Sequence, residues 1–324
     1  MDHTYLSEIK VGDRVKGVYF ISSVRIAETK HKKPFMDILL KDKTASVYVK
    51  SWDVREWVAS GVFADVMFDV DEYNGAISCV IVEAEQFQGD VDTAEYFPVI
   101  ENEESVYKDF SDEVEEAKSW GDDAGGLVAR VFSPSVLAAF RKAPSGTGVI
   151  DGRSGGAMLD TLRLVRSVKA LSGVYGLDET ETRLAAASAL LLRVGCVDAF
   201  SFENLDPALT HSGGLIGMEA LSSFRLLSAW QAYRKDNKNA DRDVFARITH
   251  VAAAYEGGRV VPCTPEAILV TSLAEFNRRI TSAREAVSDA KSGRRVTEGG
   301  FTQYDFAAKR RYFVGQTQKT GKEG

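Results

Sequence analysis

From about residue 13 to residue 85 the chain alternates apolar and polar positions in short runs rich in β-branched and aromatic residues. The runs are DRVKGVYFISSVRIAE, KPFMDILLKD, ASVYVKSWDV, FADVMFDVDEY and GAISCVIVEAEQF, with turn residues between them. A period of two is that of strands with one face on a core, and five such runs in about 75 residues predict a small β-barrel. The alternation stops in EQFQGDVDTAEYFPVIENEESVYKDFSDEVEEAKSWGDD, which is dense in Asp and Glu with only Lys108 and Lys118 as counter-charges. This stretch reads as a solvated acidic linker carrying a helix. From residue 124 to about 290 the period lengthens to that of helices, in segments such as GGAMLDTLRLVRSVKALSGVY, DETETRLAAASALLLRVG and TPEAILVTSLAEFNRRITSAREAVSDAK, predicting an all-α domain of six or so helices. The remainder, SGRRVTEGGFTQYDFAAKRRYFVGQTQKTGKEG, is Gly-rich, mildly basic and carries five aromatics, as a docked tail or a flexible arm would. The expected organisation is multi-domain: a five-stranded barrel over 1–86, an acidic linker with a helix over 87–123, an all-α domain over 124–290 and a basic aromatic tail over 291–324.

Composition supports this division. With 324 residues and 44% apolar positions the chain can bury a core in each of two domains. It has no apolar run approaching the ~18 residues of a membrane span, and MDHTYLSEIK carries charge where a secretion signal needs an apolar centre. A cytoplasmic protein without membrane association is expected. Cys79, Cys196 and Cys263 are widely spaced, which predicts small buried side chains rather than a disulfide framework or a thiolate zinc site. The Gly-rich segments SGGAMLD, SGGLIGM and GTGVIDGRSGG follow no strand and lack phosphate-loop spacing, so no nucleotide cofactor is expected. His3 and His31 are isolated and expected at the surface. The net charge of −7 excludes a protein that is basic throughout, but leaves room for local basic patches.

One such patch falls on the barrel. Alternation places Met36, Ile38 and Leu40 on one side of their strand, with Phe35, Asp37 and Leu39 on the other. It turns Val47 and Val49 inward and Tyr48, Lys50 and Trp52 outward. The KHKK stretch just before adds Lys30, Lys32 and Lys33 in a loop. Exposed rings flanked by lysines are what a single strand of nucleic acid requires, because bases stack on flat side chains while ammonium groups follow the phosphates, at about 1–3 kcal/mol per stacked base. Ordinary half-buried packing accounts for the same residue types, so both readings stand at this point.

A wider resemblance includes this patch. The order DKTASVYVKSWD, AFRKAP, GRSGGAMLDTLRLVRSV, ALLLRVGCVDAFSF, GGLIGMEAL and VPCTPEAILV, over roughly residues 8–285, resembles the YhaM-type bacterial 3′-to-5′ exoribonucleases, which join an OB-fold barrel to a metal-dependent HD domain. The resemblance implies an OB-fold followed by an HD-like helical domain, and it also shows where the chain departs from the family. The family's HHxxxGGLLEHT is IDGRSGGAMLDT here, with Ile150, Asp151 and Asp160 at histidine positions. LLHDIGK falls on Leu190 to Cys196, with Leu192 and Arg193 at the His-Asp pair. Met218 and Ala274 stand at later ligand positions, and His250 remains in the ITHVAAA segment. Metal ligands must donate electron pairs, and an arginine has none to give and keeps its charge.

The expectation is therefore a vacated HD site comprising Asp151, Asp160, Leu192, Arg193, Met218, His250 and Ala274, with no metal and no catalysis. Arg193 is expected to form a salt bridge with Asp160 across that site, protein charge substituting for the metal, with a grip on phosphate as the competing role. The function expected is non-catalytic binding of single-stranded nucleic acid, DNA before RNA, as a replication or recombination accessory of a bacterium or bacteriophage. Replication or recombination proteins and further copies of the chain are the other expected partners. An active metal-dependent exonuclease and a protein-interaction module are the alternatives.

Overall fold

The computed structural model describes residues 4–29, 32–73, 76–97, 99–146, 152–201, 207–255, 260–291, 299–302, 304 and 309–315. Its N-terminal part is a closed five-stranded barrel of β1 (Arg14–Glu28), β2 (Pro34–Lys41), β3 (Ser46–Ser51), β4 (Phe63–Tyr73) and β5 (Ala76–Gln86), in the order β1-β2-β3-β5-β4. Neighbours are antiparallel except β3 and β5, which run parallel at Val49 opposite Cys79 and Lys50 opposite Val80. This is the connectivity of an OB-fold.

A single long β1 serves two neighbours. Its first half pairs with β4 and its second with β2, and the register shifts between Ile21 and Ser23. The extra residue of such a bulge bends the strand and lets a short sheet close. Inside, Val15, Tyr19, Ile21, Met36, Ile38, Leu40, Val49, Val66, Phe68, Val70 and Cys79 form the core. Tyr19 is fully buried, and its hydroxyl donates to the Thr4 carbonyl at 2.6 Å. The turn from β2 to β3 is held by Asp42, whose carboxylate accepts from the Leu6, Thr44 and Ala45 nitrogens and from the Thr44 hydroxyl at 2.6–3.0 Å.

The acidic stretch after β5 is ordered on the barrel over its first part. Tyr96 and Phe97 pack with Val18 and Phe20 in a second small core. Lys43 pairs with Glu95 at 2.7 Å, and the Tyr5 hydroxyl donates to the same carboxylate at 2.5 Å. Two apolar rings in EYFP, between acidic neighbours, make the difference from a free linker.

The rest is helical: α1 (Glu103–Lys118), α2 (Asp123–Val131), α3 (Pro134–Lys142), α4 (Gly156–Ser172), α5 (Glu179–Leu191), α6 (Cys196–Ala199), α7 (His211–Ile216), α8 (Met218–Asp236), α9 (Arg242–Ala254) and α10 (Pro265–Lys291). A two-stranded ribbon of β6 (Phe200–Ser201) and β7 (Ala208–Leu209) precedes α7. The chain divides into two compact units, one of Met1–Glu103, Ala138–Ala157 and Val197–Leu215, the other of Glu104–Leu137, Met158–Cys196 and Ile216–Gly324. In the second unit α5 is central. Every residue from Leu184 to Leu192 is buried, so the apolar run that ends at Arg193 is apolar on all sides because α2, α9 and α10 surround it. The Asp178 and Glu181 capping box starts this helix. Among the described residues no helix is long and apolar enough to cross a membrane.

Candidate nucleic-acid interface

β2 and β3 pair with Asp37 opposite Lys50 and Leu39 opposite Tyr48, so their odd and even positions, respectively, share the outer face. Burial confirms the parity. Met36, Ile38, Leu40 and Val49 are at most 2% exposed, whereas Tyr48 is 61% and Trp52 57% exposed. Trp52 follows the end of β3 and meets Phe35 with ring centroids 5.5 Å apart at 47°. The Lys50 ammonium lies 5.9 Å from the centre of the Phe35 ring. Phe35, Tyr48, Lys50 and Trp52 thus form one surface, two rings in contact with a cation beside them and a third ring on the neighbouring outward position.

Arg25 also lies on this surface, although strand alternation alone does not place it there. It stands opposite Asp37 and pairs with it at 3.2 Å, so the one carboxylate in the row is balanced by a cation. Counting by twos from the buried Val15 makes Arg25 an inward position, and the bulge before Ser23 reverses that parity. The described ends of the loop between β1 and β2 are tied together. The Thr29 nitrogen donates to the Lys33 carbonyl and the Lys32 nitrogen to the Thr29 carbonyl, both at 2.9 Å. The Lys33 nitrogen donates to the Thr29 hydroxyl at 3.1 Å. Lys32 and Lys33 are exposed at the edge next to Phe35, and Lys30 lies outside the described residues.

The second predicted cluster is partly assembled in the helical unit. Arg193 sits in the turn after α5, and its Nη2 donates to the Tyr255 hydroxyl at 3.2 Å, with the guanidinium 5.8 Å from that ring's centre. Burial disfavours its charge, but Tyr255, Asp160, Cys196 and Glu219 outweigh that, so the arginine stays cationic. Asp160 acts on it through this field and lies 3.9 Å from Arg163. Met218, at the start of α8, brings its sulfur to 3.5 Å from Cys196, and burial pushes the Cys196 thiol up to about 12. Gly195 permits this packing, because a β-carbon there would lie 2.2 Å from the Met218 carbonyl oxygen and 2.4 Å from the Ser222 nitrogen. Leu192 and Ala274 are buried aliphatic side chains. His250 engages another group, accepting from the Cys263 nitrogen at 3.1 Å. Asp151 lies outside the described residues. Tyr255 was absent from the sequence reading, since nothing in its local context marks it as a partner of a residue 62 positions away.

Leucine and alanine offer no electron pair, arginine repels a cation, and a thioether is a poor ligand for a hard divalent ion. Among the described residues no group of three or more His, Cys, Asp and Glu side chains is placed to hold a metal. The pair of ions that the HD resemblance implies does not fit the residues at these positions.

No family model matches the chain, and no curated protein matches it. Among solved structures, the second OB-fold domain of replication protein A from Methanococcus maripaludis is 14% identical over 28% of this chain and 100% of its own, with a TM-score of 0.22. The fold assignment rests on the barrel's own strand order and pairing.

Proposed function

We propose that the protein binds single-stranded nucleic acid on the outer face of β2 and β3 and does not cut it. The observation that carries this reading is the pair of exposed rings Tyr48 and Trp52 on one sheet face, with the half-buried Phe35 against Trp52 and Lys50 beside it. Two large rings mostly in water on one sheet face, with a third ring and a cation beside them, form the kind of contiguous patch that marks a binding surface. Each suits a base, while Lys32, Lys33, Lys50 and Arg25 suit the phosphates. DNA is the favoured strand, in an accessory role in replication or recombination, with a degenerate HD-like helical unit as scaffold.

The absence of catalysis is supported by the residues at the would-be metal positions. Arg193, paired with Tyr255, takes the place of an aspartate, and Leu192, Met218 and Ala274 replace other ligands. The vacated site is held by protein charge and packing instead of by metal.

Trp52 supplies the test. Stacking a base on it quenches its emission, so adding oligothymidylate lowers the protein's fluorescence, and the Trp52→Phe variant loses most of that change while still binding. A labelled strand incubated with the protein and magnesium or manganese stays intact. Quenching that survives Trp52→Phe unchanged would remove the assigned face, and metal-dependent shortening of the strand would remove the non-catalytic reading.

A further inference from the structure

The basic aromatic segment near the C-terminus is folded where it is described. Phe301 and Phe313 form an antiparallel bridge. The Thr302 nitrogen donates to the Tyr312 carbonyl at 2.9 Å, the Val314 nitrogen to the Gly300 carbonyl at 2.8 Å, and the Tyr312 nitrogen to the Thr302 hydroxyl at 3.0 Å. Gly299, Gly300 and Gly315 all have positive φ, and a β-carbon on Gly300 would lie 3.0 Å from the Gly315 carbonyl oxygen. The two arms therefore close into a clasp that only glycine allows. Thr302 is buried at 3%, yet Phe313 is 65%, Tyr304 44% and Phe301 41% exposed. Lys309, Arg310 and Arg311, on the described end of the connecting segment, are exposed as well.

We infer that this clasp is a second contact for single-stranded nucleic acid, with Phe313 offering a ring to a base and Lys309, Arg310 and Arg311 taking phosphates. Paired arms that turn their most exposed ring, Phe313, to solvent beside three consecutive cations, in a chain of net charge −7, are complementary to a polyanion with flat apolar groups. An acidic protein surface would match the charge alone. The inference shares its ligand with the proposed function, but it rests on different residues in the other compact unit.

The test uses the full chain and a long oligothymidylate, titrated by anisotropy over a range of salt concentrations. Replacing Lys309, Arg310 and Arg311 by glutamine removes up to three phosphate contacts, so the slope of log K against log salt falls by about 2, at roughly 0.7 per phosphate for single strands. Phe313→Leu keeps an apolar side chain in the clasp but removes the ring, and lowers affinity by about fivefold or more with the slope unchanged. Unaltered thermal unfolding of both variants shows that the fold persists. If the glutamine variant keeps the wild-type slope, or if Phe313→Leu binds as tightly as wild type, the clasp is no nucleic-acid contact. If polyglutamate binds the clasp as tightly as the oligonucleotide does, and indifferently to Phe313, an acidic protein surface is its partner and the inference fails. Loss of binding in the clasp variants with no effect of Tyr48→Ala or Trp52→Ala upholds the clasp and removes the barrel face.

Discussion

Glu266 is the least exposed carboxylate among the described residues, at 0%, and accepts both nitrogens of the Arg247 fork at 2.7 and 2.8 Å. The pair ties the first turn of α10 to α9, against the central α5. Glu266→Gln keeps the shape but removes the charge, leaving the arginine with a neutral acceptor in a dry setting. Breaking a fully buried pair costs about 3–5 kcal/mol. Arg247 is one-third exposed and can recover some hydration, which lowers the expected loss to about 2–3 kcal/mol. At about 2–4 °C per kcal/mol for a domain of this size, the helical unit melts roughly 4–12 °C lower.

The pH dependence is set by the direction of the shift. Burial pushes the Glu266 carboxyl up, and the hydrogen bonds from Arg247 and Thr264 more than reverse this, so its folded value lies below the ordinary 4.5. Its contribution is therefore complete above about pH 4.5, and it is lost as the pH falls through the lower folded value. Calorimetry of the wild type and Glu266→Gln at neutral pH and at successively lower pH should show two melting curves that converge on acidification. The double replacement Arg247→Met with Glu266→Leu should recover part of the loss, because it leaves no charge unpaired. A Glu266→Gln variant that melts with the wild type at neutral pH, or a difference that does not shrink in acid, would refute the assignment.

Gly195→Ala places a methyl group onto the backbone of α8, and a loss of about 2 kcal/mol or more is expected in denaturant unfolding, since the two closest clashing atoms are backbone and cannot swing away. Tyr48→Ala and Trp52→Ala each weaken oligonucleotide binding by about 1–3 kcal/mol, with the salt slope unaltered, because stacking involves no counterion. Contrary to the expectation of three buried cysteines, Cys263 is exposed, because it lies in the non-helical segment just before α10; a thiol titration of the native protein therefore modifies it, while the buried Cys79 and Cys196 react only after unfolding. Burial raises both buried thiols, to about 11 and about 12, which further slows their reaction near neutral pH.

The barrel was readable in the sequence because each strand keeps a clean inside and outside. Met36, Ile38 and Leu40 against Phe35 and Leu39 leave one solution for the sheet. The chain gives no local sign of a bulge at Ile21 to Ser23, and so Arg25 was lost from the binding face. Bulges are set by closure of the whole barrel, which a single strand does not encode. The order on the barrel of residues 87–97 was hidden by their acidic composition, although two buried rings decide their place. In the helical unit the run LLLRVG has the local pattern of an apolar helix ending at a glycine. Gly195 instead has the role of letting α8 approach, and Arg193 finds Tyr255 across a long loop of sequence. Both depend on tertiary neighbours, and no window of sequence contains them.

The central claim is that the outer face of β2 and β3 holds a single strand by rings and cations together. Anisotropy titration of the full chain with a single-stranded oligonucleotide, at low and at moderate salt, tests it most directly. The account predicts saturable binding that weakens as salt rises, with a log–log slope of about −0.7 for each phosphate engaged, and a duplex of the same sequence bound more weakly because its bases are already stacked. No binding at low salt, or equal binding of single strand and duplex, would contradict it.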